Sequence, residues 1–555
     1  MVLSRRMTRG INGYMILQYC KTVTLFLLLT CVGMVAAGCT RKEKSPQNPT
    51  LLIEGSIGDA KRLIPMFATD GASGDVTGLV FNGLVKYNKD VQLVGDLAES
   101  FDLTPDCLTA TFHLRRGIRW HDGKPFTAND VLFTYQQIIN PQNVTPYSSE
   151  FETVSDVQKT DDFTLRVTYR EPFAPGIANW GMGIIPKHLL EGKDLNADSF
   201  NRNPVGTGPF RMKEWVSGQK IVLSANPDYF EGKPEISEYV YRIIPDTATM
   251  FLELKALNVD FMGLRPIQYQ HQTDTPFFQK EFNKFKYPSL AYTYLGYNLA
   301  DPRFSDKRVR QALAHAIDKK AIIEGILLGL GQPASGPYIP ESWAYNPNAP
   351  DFEYNPEKAR QLFAEVGWTT EPKDKEGLLK KEGKSFSFTI LTNQGNEERM
   401  KAAEIIQSNL KQIGVTVNIR VLEWQALLHD FIDQKQFDAI ILGWGVGLDP
   451  DLYAIWHSSK TKPGEFNFVS YKNEMVDRLL TEGRRTCLQE ERKKIYQQVH
   501  TLIAEDQPYT FLWYPSSLPI IHKRFKGVAP SAIGIGYNMP QWKIPKNKSE
   551  WYISP

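Results

Sequence analysis

Few of the marks of a catalyst, a membrane protein or a nucleic-acid binder occur in this chain of 555 residues. There is no G-x-G-x-x-G after a strand, no H-E-x-x-H, no C-x-x-C and no G-x-S-x-G. Their absence removes the usual signs of dinucleotide binding, zinc-peptidase, thiol redox and serine-hydrolase chemistry. The nearest thing to a phosphate loop is Gly377 with Gly383-Lys384-Ser385. Its spacing is one residue too long and it precedes a strand instead of following one. The nine histidines stand singly, none at ligand-like spacing from another, so no metal site is expected. We therefore assign no catalytic residue, no metal ligand and no cofactor. No internal repeat or low-complexity tract occurs, and a composition with 42% hydrophobic and 23% charged residues is that of an ordinary globular chain of several domains.

Long apolar runs are also missing. Val23–Val35 is apolar but too short to cross a bilayer as a helix, which takes about 20 residues. With Arg5, Arg6, Arg9 and Lys21 flanking it and small residues at Ala36, Ala37 and Gly38, it reads as a secretory signal occupying residues 1–38. Val35-Ala36-Ala37-Gly38-Cys39 resembles a bacterial lipobox, with Ala36 where Leu is usual, and implies lipidation of Cys39 and anchoring at a membrane surface. Removing the signal leaves 60 basic against 62 acidic residues, so no basic face for nucleic acid is expected. Cysteine is scarce: Cys20, Cys31, Cys39, Cys107 and Cys487. The last two lie 380 residues apart. They could pair in an oxidising compartment, but sequence does not show proximity, and two unpaired buried thiols is the expected reading. Residues 39–50 are polar and form a tether.

What is present concentrates in Leu97–Tyr135. Phe112 and Leu114 alternate with Thr111 and His113, as in a half-buried strand. Asp122-Gly123 marks a tight turn. Thr127 and Asp130 have the spacing of a capping box, and Val131, Tyr135 and Ile138 share one face of the helix that follows. Each of these residues has a structural task.

The same segment resembles the signature of the family 5 extracellular solute-binding proteins, the dipeptide and oligopeptide receptors of ABC importers. Their run F-x-L-R-x-G-x-x-(F/W)-x-D-G-x-P-(F/L)-T-A-x-D-V is met by Phe112, Leu114, Arg115, Gly117, Trp120, Asp122, Gly123, Pro125, Phe126, Thr127, Ala128, Asp130 and Val131. Val205–Phe210 with Asn226–Tyr229, and Asn298 followed by Asp306–Leu313 and Ala316–Asp318, continue the likeness. The resemblance implies an α/β, two-lobed periplasmic-binding-protein-like fold of class II with an additional inserted α+β domain. We expect lobe I at 51–81, 206–289 and 509–555, the insertion at 82–205 and lobe II at 290–508. Tyr292–Asn298 and Tyr509–Tyr514 are the expected crossing strands.

Within lobe II the periodicity predicts a strand at Phe386–Ile390, a helix at Glu397–Ile413, a strand at Val415–Ile419 and a buried parallel strand at Phe437–Leu442. Further helices are expected after Ser305 and from Pro356, the latter with Asn355 as N-cap and Gly367 as the stop. Ligands of such sheets sit beyond the carboxyl ends of the strands. That singles out two loops, Thr392–Asn396 with Asn393, and Gly443–Asp449. In the second, Gly445 and Gly447 open the backbone around Val446, and Trp444 offers a flat wall with one donor.

Peptide-binding members carry an acid three residues after this Trp, where the chain has Gly447. The nearest carboxylate, Asp449, precedes Pro450 and reads as the N-cap of a helix over Asp451–Trp456. Asp59 is a candidate substitute, and Asn298 completes the expected ligand set. The resemblance implies a monomeric receptor that delivers a solute, a peptide first, to membrane permease subunits from the outer face of the cell envelope. A sugar-derived ligand, a metal chelate, or a chaperone or sensory role are the alternatives.

Overall fold

The computed structural model describes residues 50–370 and 377–552. The expected signal segment, Cys39 and all but the last tether residue lie outside the described residues. Two seven-stranded sheets organise the chain. In the first, the strands run in the order Phe282–Lys284, Pro519–His522, Phe261–Gly263, Leu51–Ser56, Glu238–Ile243, Lys220–Ala225 and Phe210–Val216. In the second the order is Tyr287–Pro288, Tyr509–Ser517, Ala291–Tyr297, Ala439–Gly445, Ser387–Asn393 and Thr416–Leu422, with Gly331–Pro333 also pairing the Tyr509–Ser517 strand. Each sheet organises one lobe of a mixed α/β fold.

The chain passes between the lobes twice. It leaves the first sheet at Lys284 and enters the second at Tyr287, and it returns between Ser517 and Pro519. Both segments expected to cross, Tyr292–Asn298 and Tyr509–Tyr514, instead pair with each other inside the second sheet. The passages lie just beyond their ends. Their apolar runs belong to a strand buried on both faces, a pattern that says nothing about where the chain changes sheet.

The second lobe follows its periodicities closely. Ser387–Asn393 and Thr416–Leu422 are parallel neighbours, joined by the helix Glu397–Gln412. Ser387–Asn393 is also parallel to Ala439–Gly445. Along this last strand the side chains alternate between two cores. Ala439 and Ile441 join Phe386, Phe388, Ile406 and Leu410 under the helix, while Ile440 and Leu442 join Tyr292, Tyr294, Tyr509 and Trp456 on the other face. A two-residue period carries Trp444 to this second face. The strand runs on through Gly445, so Trp444 and Gly445 are strand residues and the connecting loop begins at Val446.

Leu97–Tyr135 folds as its residues require. Thr109–Leu114 is an inner strand of a four-stranded antiparallel sheet, between Ala98–Leu103 and Thr164–Tyr169. Gly123 takes φ +86°, a conformation costly for any side chain. Thr127 and Asp130 form a complete capping box on the helix Ala128–Ile138. This sheet shares one continuous core with the first lobe, running from Leu52 and Tyr239 to Phe112 and Trp180. The helices Lys307–His315 and Pro356–Glu365 form as expected, capped by Asp306 and Asn355. Among the described residues no helix is long and apolar enough to cross a membrane.

Of the two readings open for the cysteines, the expected one, unpaired thiols, gives way to pairing. Cys107 and Cys487 form a disulfide, with Cα atoms 6.3 Å apart across 380 residues of sequence. Cys107 sits in the turn before the strand Thr109–Leu114, and Cys487 between two helices of the second lobe. Distance along the chain gave no hint of this meeting.

Candidate functional site: a cavity between the lobes

A cavity of about 770 Å³ opens where the first lobe, the four-stranded domain and the second lobe meet. The helix Gly71–Val80 forms one wall. Asp70 caps it by accepting a hydrogen bond from the Ser73 N–H at 3.0 Å. Gly71, Gly74 and Gly78 share a helical face that lines the cavity, and a Cβ at any of them would meet nothing within 4 Å. This face presents bare backbone to a ligand. The spacing Gly71, Gly74, Gly78 was visible in the sequence as a helical stripe, and our reading missed it.

The opposite wall is the end of the strand Ala439–Gly445 and the loop after it. Trp444 is half-buried. Its Nε1–H donates to Tyr509 Oη at 3.2 Å, and its ring meets Phe466 edge-on with centroids 5.2 Å apart. Tyr509 in turn stacks on Tyr294 at 3.9 Å. Trp444 thus packs against the core and lines the cavity, combining both roles open to such a residue. Gly445, Val446 and Gly447 line the cavity beside it. Val446 N–H donates to Leu290 O at 2.9 Å, which ties the start of the loop to the passage between lobes. Behind the loop lies a second, apolar cavity of about 380 Å³, which shares Val446–Asp449 as its wall.

Asp449 lines both cavities, but it is not a helix cap. The helix begins at Tyr453, with Leu452 in the N-cap position. The carboxylate is held by Arg492, Nη2 to Oδ1 at 2.9 Å and Nη1 to Oδ2 at 3.0 Å. The partner lies 43 residues away in sequence, and spacing offered no sign of it. Asp451 is paired with Arg484 through a single bond, Nε to Oδ2 at 2.7 Å. Arg484 also donates from Nη1 to Ser149 O at 2.9 Å, across to the four-stranded domain.

Three expected residues do not reach the cavity. Asp59 is consumed by the hairpin of the first lobe, accepting from Trp215 Nε1–H at 3.0 Å and Gly218 N–H at 2.8 Å. Asn298 lies past the end of its strand remote from Trp444 and donates to Lys435 O and Phe437 O. Asn393 is buried and accepts from Arg399 Nη1 at 2.9 Å. Arg399 supports the floor, because a Cβ on Gly443 would come within 2.9 Å of its Nη2. Burial lowers this guanidinium to about 10.

The four-stranded domain supplies residues that sequence reasoning did not single out. Tyr147 and Glu150 line the cavity from the short turn Pro146–Glu150. Thr145 Oγ1 donates to Met66 O at 2.6 Å and Tyr147 Oη to Ala68 O at 3.1 Å, which fixes that turn on the first lobe. The Tyr147 ring stands edge-on to Phe466 at 5.6 Å, bridging the two walls. Ion pairs also cross the cleft: Lys61 with Asp433 at 2.8 Å, Arg265 with Glu397 at 2.6 Å, and Lys460 with Glu152 at 2.6 Å. Among the described residues no group of three His, Cys, Asp or Glu side chains could hold a metal ion. The arrangement is built to enclose a solute.

Comparison with known proteins agrees. Residues 92–465 match the model of the bacterial extracellular solute-binding proteins, family 5. The chain is 35% identical over 554 residues to the oligopeptide-binding protein AppA of Bacillus subtilis, covering 97% of this chain and 100% of the relative. The solved structure of AppA in complex with a nonapeptide superposes with a TM-score of 0.85 at 35% identity, covering 89% of this chain and 99% of that one. NikZ of Campylobacter jejuni, solved in complex with Ni(L-His), gives 0.82 at 29% identity, covering 90% of this chain and 100% of that one.

Proposed function

Because the chain belongs to the bacterial extracellular solute-binding proteins of family 5, we propose that it is the peptide receptor of an ABC importer. The observation that carries this reading is the cavity itself. It is large, bounded by bare helix backbone at Gly71, Gly74 and Gly78 on one side and by Trp444, Gly445, Val446 and Gly447 on the other. The missing side chains at Gly71, Gly74 and Gly78 leave room for an extended main chain against the helix, and aromatic side chains take varied ligand side chains without demanding one identity. The likeness to AppA, solved with a nonapeptide, supports the same ligand class.

In this reading lobe I comprises 51–81, 206–284 and the residues from 519 on, the inserted domain 82–205, and lobe II 287–517. The expected bounds at 289/290 and 508/509 shift because Tyr287–Pro288 and Tyr509–Ser517 pair in the second sheet. The lobes turn about the two passages, and a peptide favours the closed form because it contacts both sides at once. The closed receptor docks on the permease as a monomer. Residues 1–38 direct export, and a lipid on Cys39 keeps the receptor at the outer face of a membrane. Catalysis has no part in this cycle.

Identification by mass spectrometry of the solutes released when natively purified protein is denatured tests the proposal. Peptides are expected. Release of a sugar-derived compound or a metal chelate in stoichiometric amount would replace the ligand class while leaving the receptor reading in place.

A further inference from the structure

Six acids line the large cavity, and five have partners there. Asp433 pairs with Lys61, Asp449 with Arg492 and Asp451 with Arg484. Asp70 accepts from the Ser73 N–H and hydroxyl, and Glu465 from the Lys462 N–H at 2.8 Å. The sixth is Glu150. Among the described residues its carboxylate takes part in no hydrogen bond or ion pair. Only its backbone oxygen is used, accepting from Asn179 Nδ2 at 2.9 Å. Half-buried on the cavity wall, the carboxylate would lose its remaining water when a ligand closes over it. A carboxylate desolvated without a donor is costly, so a cation from the ligand is its fitting partner.

We propose that Glu150 is the acid that pairs with the amino-terminal ammonium of the bound peptide. This rests on the peptide reading above. The amino terminus is the one cation that every peptide brings whatever its sequence, so a single fixed carboxylate can anchor mixed cargo. The turn that carries Glu150 is fixed: Thr145, Tyr147 and Ser149 are bonded to Met66, Ala68 and Arg484, so its Cα is held at the cavity wall. A backbone anchored before binding leaves only the side chain's rotamers to be ordered by the ligand. Tyr147, Phe466 and Trp444 form an aromatic patch on the same cavity, and a charge pair shut off from water there is stronger than in water.

The charged and titratable groups facing Glu150 are Arg484 from the helix Glu474–Arg485, Asp449 and Asp451 from the loop after Gly445, and Tyr147 from its own turn. Burial outweighs Arg484 and, with the two aspartates, pushes the Glu150 carboxyl up to about 7. An arriving ammonium favours the ionised form, so binding near neutral pH expels part of a proton from this group.

The test uses calorimetry on the mature protein with two probes. One is a pool of pentapeptides built from Ala, Ser, Gln and Phe with free amino termini; the other is the same pool N-acetylated. The free pool is expected to bind wild type about tenfold tighter or more, and Glu150→Gln to abolish that preference. Its melting temperature without peptide should be unchanged or higher, since an uncompensated acid is gone. On unmodified protein at pH 7, the heat of the free pool should differ between phosphate and Tris buffers by a net proton release, and that of the acetylated pool should not. Equal affinity for both pools, a preference that survives Glu150→Gln, or heats independent of buffer would overturn the Glu150 assignment alone. Failure of both pools to bind wild type would overturn the peptide reading and the assignment together.

Discussion

Arg492 holds Asp449 in a two-pronged grip, with nitrogen–oxygen distances of 2.9 and 3.0 Å, and thereby sets the end of the loop that separates the two cavities. The guanidinium is almost fully buried and also donates from Nε to Gly483 O at 3.0 Å. Removing the acid leaves a buried cation uncompensated, which costs more than the pair contributes. Asp449→Asn should lower stability by about 3 kcal/mol in urea unfolding and weaken peptide binding as the loop loosens. The double variant Asp449→Leu/Arg492→Met should recover most of the stability. A loss below about 0.5 kcal/mol for Asp449→Asn would show that the pair does not hold the loop.

Trp444 lines the cavity while its Nε1–H stays bonded to Tyr509. Trp444→Ala should weaken peptide affinity about tenfold or more, about 1.4 kcal/mol, by calorimetry. Unchanged affinity would take Trp444 out of the ligand surface.

The Cys107–Cys487 bridge joins the four-stranded domain to the second lobe, two walls of the same cleft. The Arg485–Glu171 ion pair spans the same interface. While the bridge is intact, opening must be a hinge about this point as well as about the two passages. Cys107→Ser, or reduction of the wild type, should speed peptide release several-fold in stopped-flow dissociation. It should also lower stability by about 2–4 kcal/mol. Release rates that are identical with and without reductant would show that opening leaves the bridged contact closed.

His500 is fully buried, and its Nδ1 accepts from the Asn346 N–H at 3.0 Å, so the neutral ring is the one that fits. Burial lowers its pKa to about 4, against 6.5 in the unfolded chain. The unfolded state therefore binds a proton in this window that the folded state refuses. The stability His500 contributes is present above pH 6.5 and is lost as pH falls towards 4, a change on the order of 3 kcal/mol. The stability of wild type relative to His500→Asn, which keeps an acceptor in place, should fall by this order between pH 7 and 4. A difference independent of pH would contradict it.

Local chemistry was legible in the sequence. The capping box at Thr127 and Asp130, the turn at Gly123, the βαβ run from Ser387 to Leu422 and the buried strand leading to Trp444 all appear where their residues place them. These features depend on neighbours within a few positions, which the sequence displays directly. The parts that escaped are long-range pairings. Asp449 meets Arg492, Asp59 meets Trp215, and Cys107 meets Cys487 through the tertiary fold, and no spacing rule encodes such meetings. Glu150 escaped for the opposite reason. It has nothing to mark it in a charged, polar turn, and its interest lies in the partner it lacks. The glycine stripe of Gly71, Gly74 and Gly78 was readable and was overlooked.

The most direct test of the whole account is a calorimetric titration of the mature protein with the nonapeptide class of ligand, using a mixed-sequence nonapeptide pool. One saturable site per chain with a negative heat-capacity change is expected, as apolar side chains are buried between the lobes. Absence of binding by the pool, with tight binding of a non-peptide solute in its place, would contradict the claim that this cleft is made for peptides.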